Sequence, residues 1–274
     1  MLALRPLWLL LIPAAACAGI PNEIPVCDIG GAWPPYAYNI YINSQETDAV
    51  AGFSVDYIRT ILARHQRTAH IELIPWRRCQ KGVAAGNYAM LLNASLNPER
   101  EKTYLVSKPY YVVHDVYFYA RSRLAPRISN LADLKKLRLC GQEGYNYANF
   151  GLRDEEVETG ATSFPQAMNK LLAGRCDVVL GRREIAAGFR LLNGIDYTRS
   201  PDFGMGEIPG MQPASFHMMI SRNLPYGEEL LHLVNQGIDE MKQSGEEHTL
   251  ARRYLPADDK LATRAKRRHS RQQL

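Results

Sequence analysis

Twice along this chain, short apolar segments alternate with amphipathic stripes at helical spacing. A strand–helix–strand rhythm of that kind commits a chain to a largely parallel sheet with covering helices. The first run has an apolar segment at 24–29, a helical stripe over 52–64 carrying Val55, Ile58, Ile61 and Leu62, an alternating strand at 71–74, a helix over 77–85 stopped near Gly86, and a buried-type strand at 88–92. An aromatic and β-branched strand follows at 112–119, then a polar, proline-containing connector at 121–129. The rhythm then restarts: a strand at 137–140, a stripe of Phe164, Ala167, Met168, Leu171 and Leu172 ended by Gly174, and a strand at 177–181. Residues 216–220 read as a last strand, and Leu230, Leu231, Val234, Ile238 and Met241 as one helix face. With 274 residues, this is room for two α/β units of about a hundred residues each.

The composition, 46% apolar and 22% charged, excludes disordered, collagen-like and coiled-coil chains. The net charge of +5 suggests a nucleic-acid partner only until it is located. Lys260, Arg264, Lys266, Arg267, Arg268 and Arg271 lie beyond residue 259, and Arg5 lies near the start, so the body between carries −2. No nucleic-acid binding is expected of such a body. The tail at 257–274 lacks apolar periodicity and is expected to be disordered.

Residues 1–18 read as a secretory leader, with Arg5 as the positive region, the apolar run 7–12 and the small-residue zone 14–18. That run is far shorter than the roughly 20 residues that span a bilayer. Cys17 also permits a lipid anchor, although Ala14 stands where such sites usually have Leu; plain cleavage after Ala16 or Ala18 is the preferred reading. An exported chain with Cys27, Cys79, Cys140 and Cys176 invites disulfides, in three pairings. If each half folds separately, the order of the cysteines favours Cys27–Cys79 and Cys140–Cys176; four buried thiols are the alternative.

Several fragments, in order, resemble the periplasmic solute-binding proteins of polar amino-acid ABC transporters. They are Trp33-Pro34-Pro35-Tyr36, Gly52-Phe53-Ser54-Val55-Asp56, Asn97-Pro98-Glu99-Arg100 through Ser107-Lys108-Pro109-Tyr110, Asp133-Leu134-Lys135 with Gly144, Leu172 to Asp177, and Ser244-Gly245 before Arg252-Arg253-Tyr254-Leu255. The resemblance implies an α/β fold of two lobes joined by a two-strand hinge around a ligand cleft. Lobe one is expected at 23–120 and 215–256, and lobe two at 121–214. It also implies a periplasmic monomer without cofactor or metal, taking a small-molecule ligand and serving an ABC permease or a membrane sensor.

Residue by residue, Trp33 matches the aromatic that packs on the ligand, with Tyr36 in the same loop. Arg100 matches the arginine that clamps a carboxylate, a task suited to a planar bidentate donor. Ser95 matches a ligand-contacting hydroxyl, Asn93 is a looser candidate at the same strand end, and Gly144-Tyr145 replaces a Gly-Thr or Gly-Ser pair. Trp76 and Arg77 fall near the cleft without an assigned role. The family's aspartate for the ligand ammonium is replaced by Arg182, and a cation there repels an ammonium. Either the ligand is an anion or a dicarboxylate held between Arg100 and Arg182, or Glu143 or Glu184 substitutes for the missing acid. The first is preferred, and Arg182 as a plain solvated side chain is the third possibility.

The chain has no Gly-x-Ser-x-Gly elbow, no His-Glu-x-x-His and no Walker loop, and His65 and His70 have poor metal-ligand spacing. No catalytic role is therefore expected. The enzymatic alternative is a cyclohexadienyl dehydratase, whose scaffold this chain also resembles, with Glu143 or Glu184 as general acid.

Overall fold

The computed structural model describes residues 19–43 and 45–255. The leader with Cys17 and the basic tail, on which expectations were placed above, lie outside these residues.

The first α/β run builds a six-stranded sheet. Strand β1 (Glu23–Ile29) is followed by a hairpin, β2 (Tyr38–Ile42) and β3 (Gln45–Ala51), which forms its own small sheet. Helix α1 (Phe53–Arg64) buries Val55, Ile58, Ile61 and Leu62, the stripe visible in the sequence. Strand β4 (Thr68–Ile74), helix α2 (Trp76–Ala85), strand β5 (Met90–Ser95), helix α3 (Pro98–Thr103) and strands β6 (Tyr104–Val106) and β7 (Tyr111–Val113) complete this part. Helix α2 ends where Gly86 enters the left-handed region. Helix α3 starts because the Asn97 side chain accepts the Arg100 backbone N–H at 2.8 Å and Pro98 presets the first helical position.

At His114 the chain passes to a second sheet. Strands β8 (Asp115–Ala120), β9 (Leu139–Gln142) and β10 (Glu158–Ala161) precede helix α4 (Phe164–Leu172), and strand β11 (Val178–Arg182) leads into helices α5 (Arg183–Gly188) and α6 (Arg190–Asn193). Strand β12 (Phe203–Glu207) ends this part. The chain then returns as β13 (Ala214–Ser221) and closes with α7 (Gly227–Ser244) and α8 (Glu246–Tyr254). The first sheet runs β4-β1-β5-β13-β6, with β7 also on β13; the second runs β10-β9-β11-β8-β12.

Both sheets are parallel where strand and helix alternate: β1 with β4 and β5, and β9 with β10 and β11. Strands β8 and β13 run antiparallel to their neighbours. These two arrive from the opposite lobe and need no crossover helix. The result is two α/β lobes linked by two crossing segments. One boundary differs from the expectation: residues 115–120, assigned above to lobe one, pair with β11 and β12 in the second sheet. The apolar run 112–119 conceals this, because a strand that changes sheets keeps the same side-chain types on both sides of the change.

Each lobe carries one disulfide, Cys27–Cys79 with Cα atoms 5.6 Å apart and Cys140–Cys176 with Cα atoms 5.8 Å apart. They close loops of 52 and 36 residues. On a chain-entropy basis each stabilises by roughly 4 kcal/mol. We expect the double substitution Cys27→Ala, Cys79→Ala to lower the denaturation midpoint accordingly, and alkylation of the unreduced, denatured protein to find none of the four thiols free.

Candidate functional site

The sequence turns the ends of both sheets towards each other, and between them lies a small cavity of about 30 Å³. From the first lobe come Ile29, Trp33, Trp76, Asn93, Ser95, Arg100 and Phe216; from the second come Gly144, Tyr145, Asn146 and Arg182. The site thus brings together seven of the residues singled out above. Tyr36 is the eighth and does not line the cavity: it stacks on Tyr111 with centroids 3.9 Å apart, behind Trp33. Ile29, Asn146 and Phe216 are additions that sequence reading missed, and Trp76 gains a place in the wall.

Arg100 is buried at the start of α3. One of its terminal nitrogens donates to the Ser95 carbonyl at 2.8 Å and to Ser95 Oγ at 3.4 Å, and its guanidinium lies 5.6 Å from the centre of the Trp76 ring. Burial lowers its pKa; Glu99 and Asp154 oppose this through space, and neither forms an ion pair with it. Among the described residues Arg100 therefore has no carboxylate partner, although it is 7% exposed. A buried cation left unpaired in this way calls for an anion.

Arg182 is 1% exposed, which removes the solvated reading. It ends β11 opposite Asp115, the first residue of β8, and the two side chains form a buried ion pair. Asn149 Nδ2 donates to the same carboxylate at 3.4 Å. The guanidinium lies over Tyr145 and Phe150, 4.8 and 5.6 Å from the ring centres. Burial pulls its pKa down to about 9, with Glu184 opposing, so at neutral pH it keeps its charge. Asp115 was not singled out from the sequence, and only the strand register reveals it.

The acids considered as substitutes for the missing aspartate are engaged elsewhere. Glu143 reaches Arg77 at 3.4 Å on the exposed rim. Glu184 accepts the His114 backbone N–H at 2.9 Å and meets its Nδ1 at 2.6 Å, bracing the crossing between lobes. Neither lines the cavity.

Behind the wall sits a buried polar network. Asn93 Oδ1 accepts from Ser54 Oγ at 2.6 Å, Tyr110 Oη at 3.0 Å and Tyr111 Oη at 2.8 Å, while its Nδ2 donates to Asp28. Trp33 Nε1 donates to Tyr111 Oη at 3.3 Å. Complete burial pushes the Asp28 carboxyl up from 3.8 to about 7, against hydrogen bonds from the Ile29 N–H and Asn93.

The jaws are closed on each other. Asn146 Nδ2 donates to Ser95 Oγ at 3.0 Å and to the Leu96 carbonyl at 2.9 Å, and Trp33 packs on Tyr145 with centroids 5.4 Å apart. Gly144, at φ +73°, brings its backbone so near Trp76 that a Cβ would sit 2.7 Å from the indole. A side chain larger than hydrogen there would hold the lobes apart.

Residues 27–257 match the family of bacterial extracellular solute-binding proteins, family 3. The solved substrate-binding protein of an amino acid ABC transporter is 20% identical, with 85% of this chain and 98% of that one covered and a TM-score of 0.67. An ancestral arginine-binding protein bound to glutamine is 17% identical, covering 86% and 98%, with a TM-score of 0.68. A substrate-binding protein of a Streptococcus pneumoniae ABC uptake transporter with bound histidine is 18% identical, covering 85% and 92%, with a TM-score of 0.67. At these identities the likeness is one of fold. No curated protein matches the sequence.

The Asp28 shift makes a stability prediction. Its carboxyl holds a proton in the folded state up to about pH 7 but loses it near 3.8 when unfolded. The folded state therefore binds more protons in that window, and Asp28 makes stability fall as pH rises from about 4 to 7. Asp28→Asn should gain on the wild type over the same window, by up to roughly 4 kcal/mol, with a constant difference above it. Paired denaturant titrations at several pH values check this, since other titrating groups cancel between the two proteins.

Proposed function

Because the chain belongs to the bacterial extracellular solute-binding proteins of family 3, we propose that its two lobes close on one small carboxylated ligand, with Arg100 as the carboxylate clamp. The observation that carries this is the buried, unpaired guanidinium of Arg100 in the wall of the cavity between the lobes. A ligand carboxylate supplies the missing charge through a planar, two-point contact. Trp33, Tyr145 and Phe216 cover the rest of the ligand, and the Ser95 hydroxyl beside Arg100 contributes a further polar contact.

Binding and closure are one equilibrium. The ligand touches both lobes only in the closed form, so it shifts the population towards closure. The closed face is then what a membrane partner, an ABC permease, reads, and the delivered solute crosses there. Family membership and the two disulfides agree with a site of action outside the cytoplasm. The dehydratase alternative needs an acid facing the ligand, and neither Glu143 nor Glu184 offers one.

A thermal-shift screen of amino acids, organic acids and polyamines, followed by calorimetry on the hits, tests this reading. Stabilising ligands should carry a carboxylate, and Arg100→Ala should weaken their binding by roughly 2–4 kcal/mol. Stabilisation by polyamines alone, or unchanged affinity in the Arg100→Ala protein, would overturn it.

A further inference from the structure

The geometry points to a narrower ligand class: we infer that the cleft takes a compact monocarboxylate with an apolar or aromatic body and no ammonium group. This rests on the clamp reading above and adds to it a count of charges and of free hydrogen-bonding groups.

Two guanidiniums line the cavity, and no carboxylate among the described residues does. Asp115 stands opposite Arg182 and balances it within the protein. Arg100 has no such counter-charge, so the ligand is asked for one negative charge. A second carboxylate near Arg182 would have to be buried beside Asp115, like charge against like. An α-ammonium group would meet two cations and no acid. The acids nearest the site are all engaged: Asp115 by Arg182, Glu184 by His114, and Asp28 by the Ile29 N–H and Asn93.

The two side-chain amides of the wall are engaged too. Asn93 spends its carbonyl on three hydroxyls and its amino group on Asp28. Asn146 spends its amino group on Ser95 and Leu96 and its carbonyl on the Ala148 N–H at 3.1 Å. A polar ligand body would lose water and find few partners, which is costly. Apart from the polar tips of Ser95, Tyr145 and Trp76, what the wall offers is apolar surface. Trp33 stands with Tyr145 and Phe216 at ring centroids 5.4 and 5.8 Å away, beside Ile29 and Trp76.

Matched ligands separate these features. One series is 3-phenylpropanoate, phenylalanine and phenylsuccinate; the other is 4-methylpentanoate, leucine and isopropylsuccinate. Within each, the carbon skeleton of the first member is kept while an ammonium group or a second carboxylate is added. Calorimetry on the full protein should show, in at least one series, the monocarboxylate binding tighter than both relatives by about tenfold or more. Asp115→Asn removes the internal counter-charge of Arg182 and should shift preference towards the dicarboxylate by about tenfold. Should that variant fail to fold, the wild-type ranking alone decides.

The inference is overturned if the amino acid or the dicarboxylate binds as tightly as its monocarboxylate in both series, or if no monocarboxylate binds at millimolar concentration. The Arg100→Ala protein keeps the two readings apart. If an amino acid binds tightly and this variant loses it, the clamp stands and the monocarboxylate class falls. If the variant binds every probe as the wild type does, the clamp itself falls.

Discussion

Asp115 is the first residue of β8, one position past the crossing at His114, and its partner across the sheet is Arg182 at the end of β11. Opposite charges in register attract, and here both are removed from water. Desolvating either alone costs several kcal/mol, so each is tolerable only because the other is there. The pair therefore ties three features together: where the chain changes lobes, how the second sheet ends at the cleft, and what charge that end presents. With Asp115 in place the second lobe offers a polarised but neutral edge, over which Tyr145 and Phe150 lie. The first lobe then sets the charge of the site through Arg100.

That division accounts for which parts of the molecule were legible in the sequence. Helix α1 announces itself by periodicity, because it buries one face. The hairpin of β2 and β3 was not seen: Ile40, Tyr41 and Ile42 are exposed, so no buried stripe marks it. The crossing at His114 was hidden within a uniform apolar run. At the site, Trp33 and Arg100 sit in motifs that carry the family resemblance, and Ser95 lies just before one of them, so all three could be placed by that likeness. Asp115, Asn146 and Phe216 could not, since their roles come from register and from the docking of one lobe on the other. Arg182 was legible as a departure, but its meaning depends on Asp115, which is 67 residues away in the chain.

Buried polar groups in the first lobe show a similar economy. Ser54, Asn93, Tyr110 and Tyr111 satisfy one another around Asp28, whose carboxyl is driven towards its neutral form. A closed network of this type holds the strand end carrying Asn93 and Ser95 in one arrangement. It also turns the polar capacity of Asn93 away from the cavity. Arg100, by contrast, has no carboxylate partner among the described residues, and on the proposed reading this is what would give the cleft a chemical preference.

The covalent bonds of the fold stop short of the hinge. Cys27–Cys79 links β1 to α2 within the first lobe, and Cys140–Cys176 links β9 to the segment before β11 within the second. Each jaw is stiffened, and neither bond restrains the two crossing segments. The contacts across the cleft are not covalent: they include the Asn146 hydrogen bonds, the Trp33–Tyr145 contact, the exposed Arg77–Glu143 pair and the close packing of Gly144 on Trp76 and of Gly188 on Pro34. An exposed pair of this kind contributes about 1 kcal/mol or less, and two hydrogen bonds about 1 kcal/mol each. On the proposed reading, a ligand's differential affinity would decide between open and closed forms only if the balance of such contacts leaves the two close in energy. Rigid jaws joined by two crossing segments that neither disulfide restrains would, on that reading, allow the energy of one charge-assisted contact at Arg100 to appear as a movement of whole lobes rather than as a local adjustment of side chains.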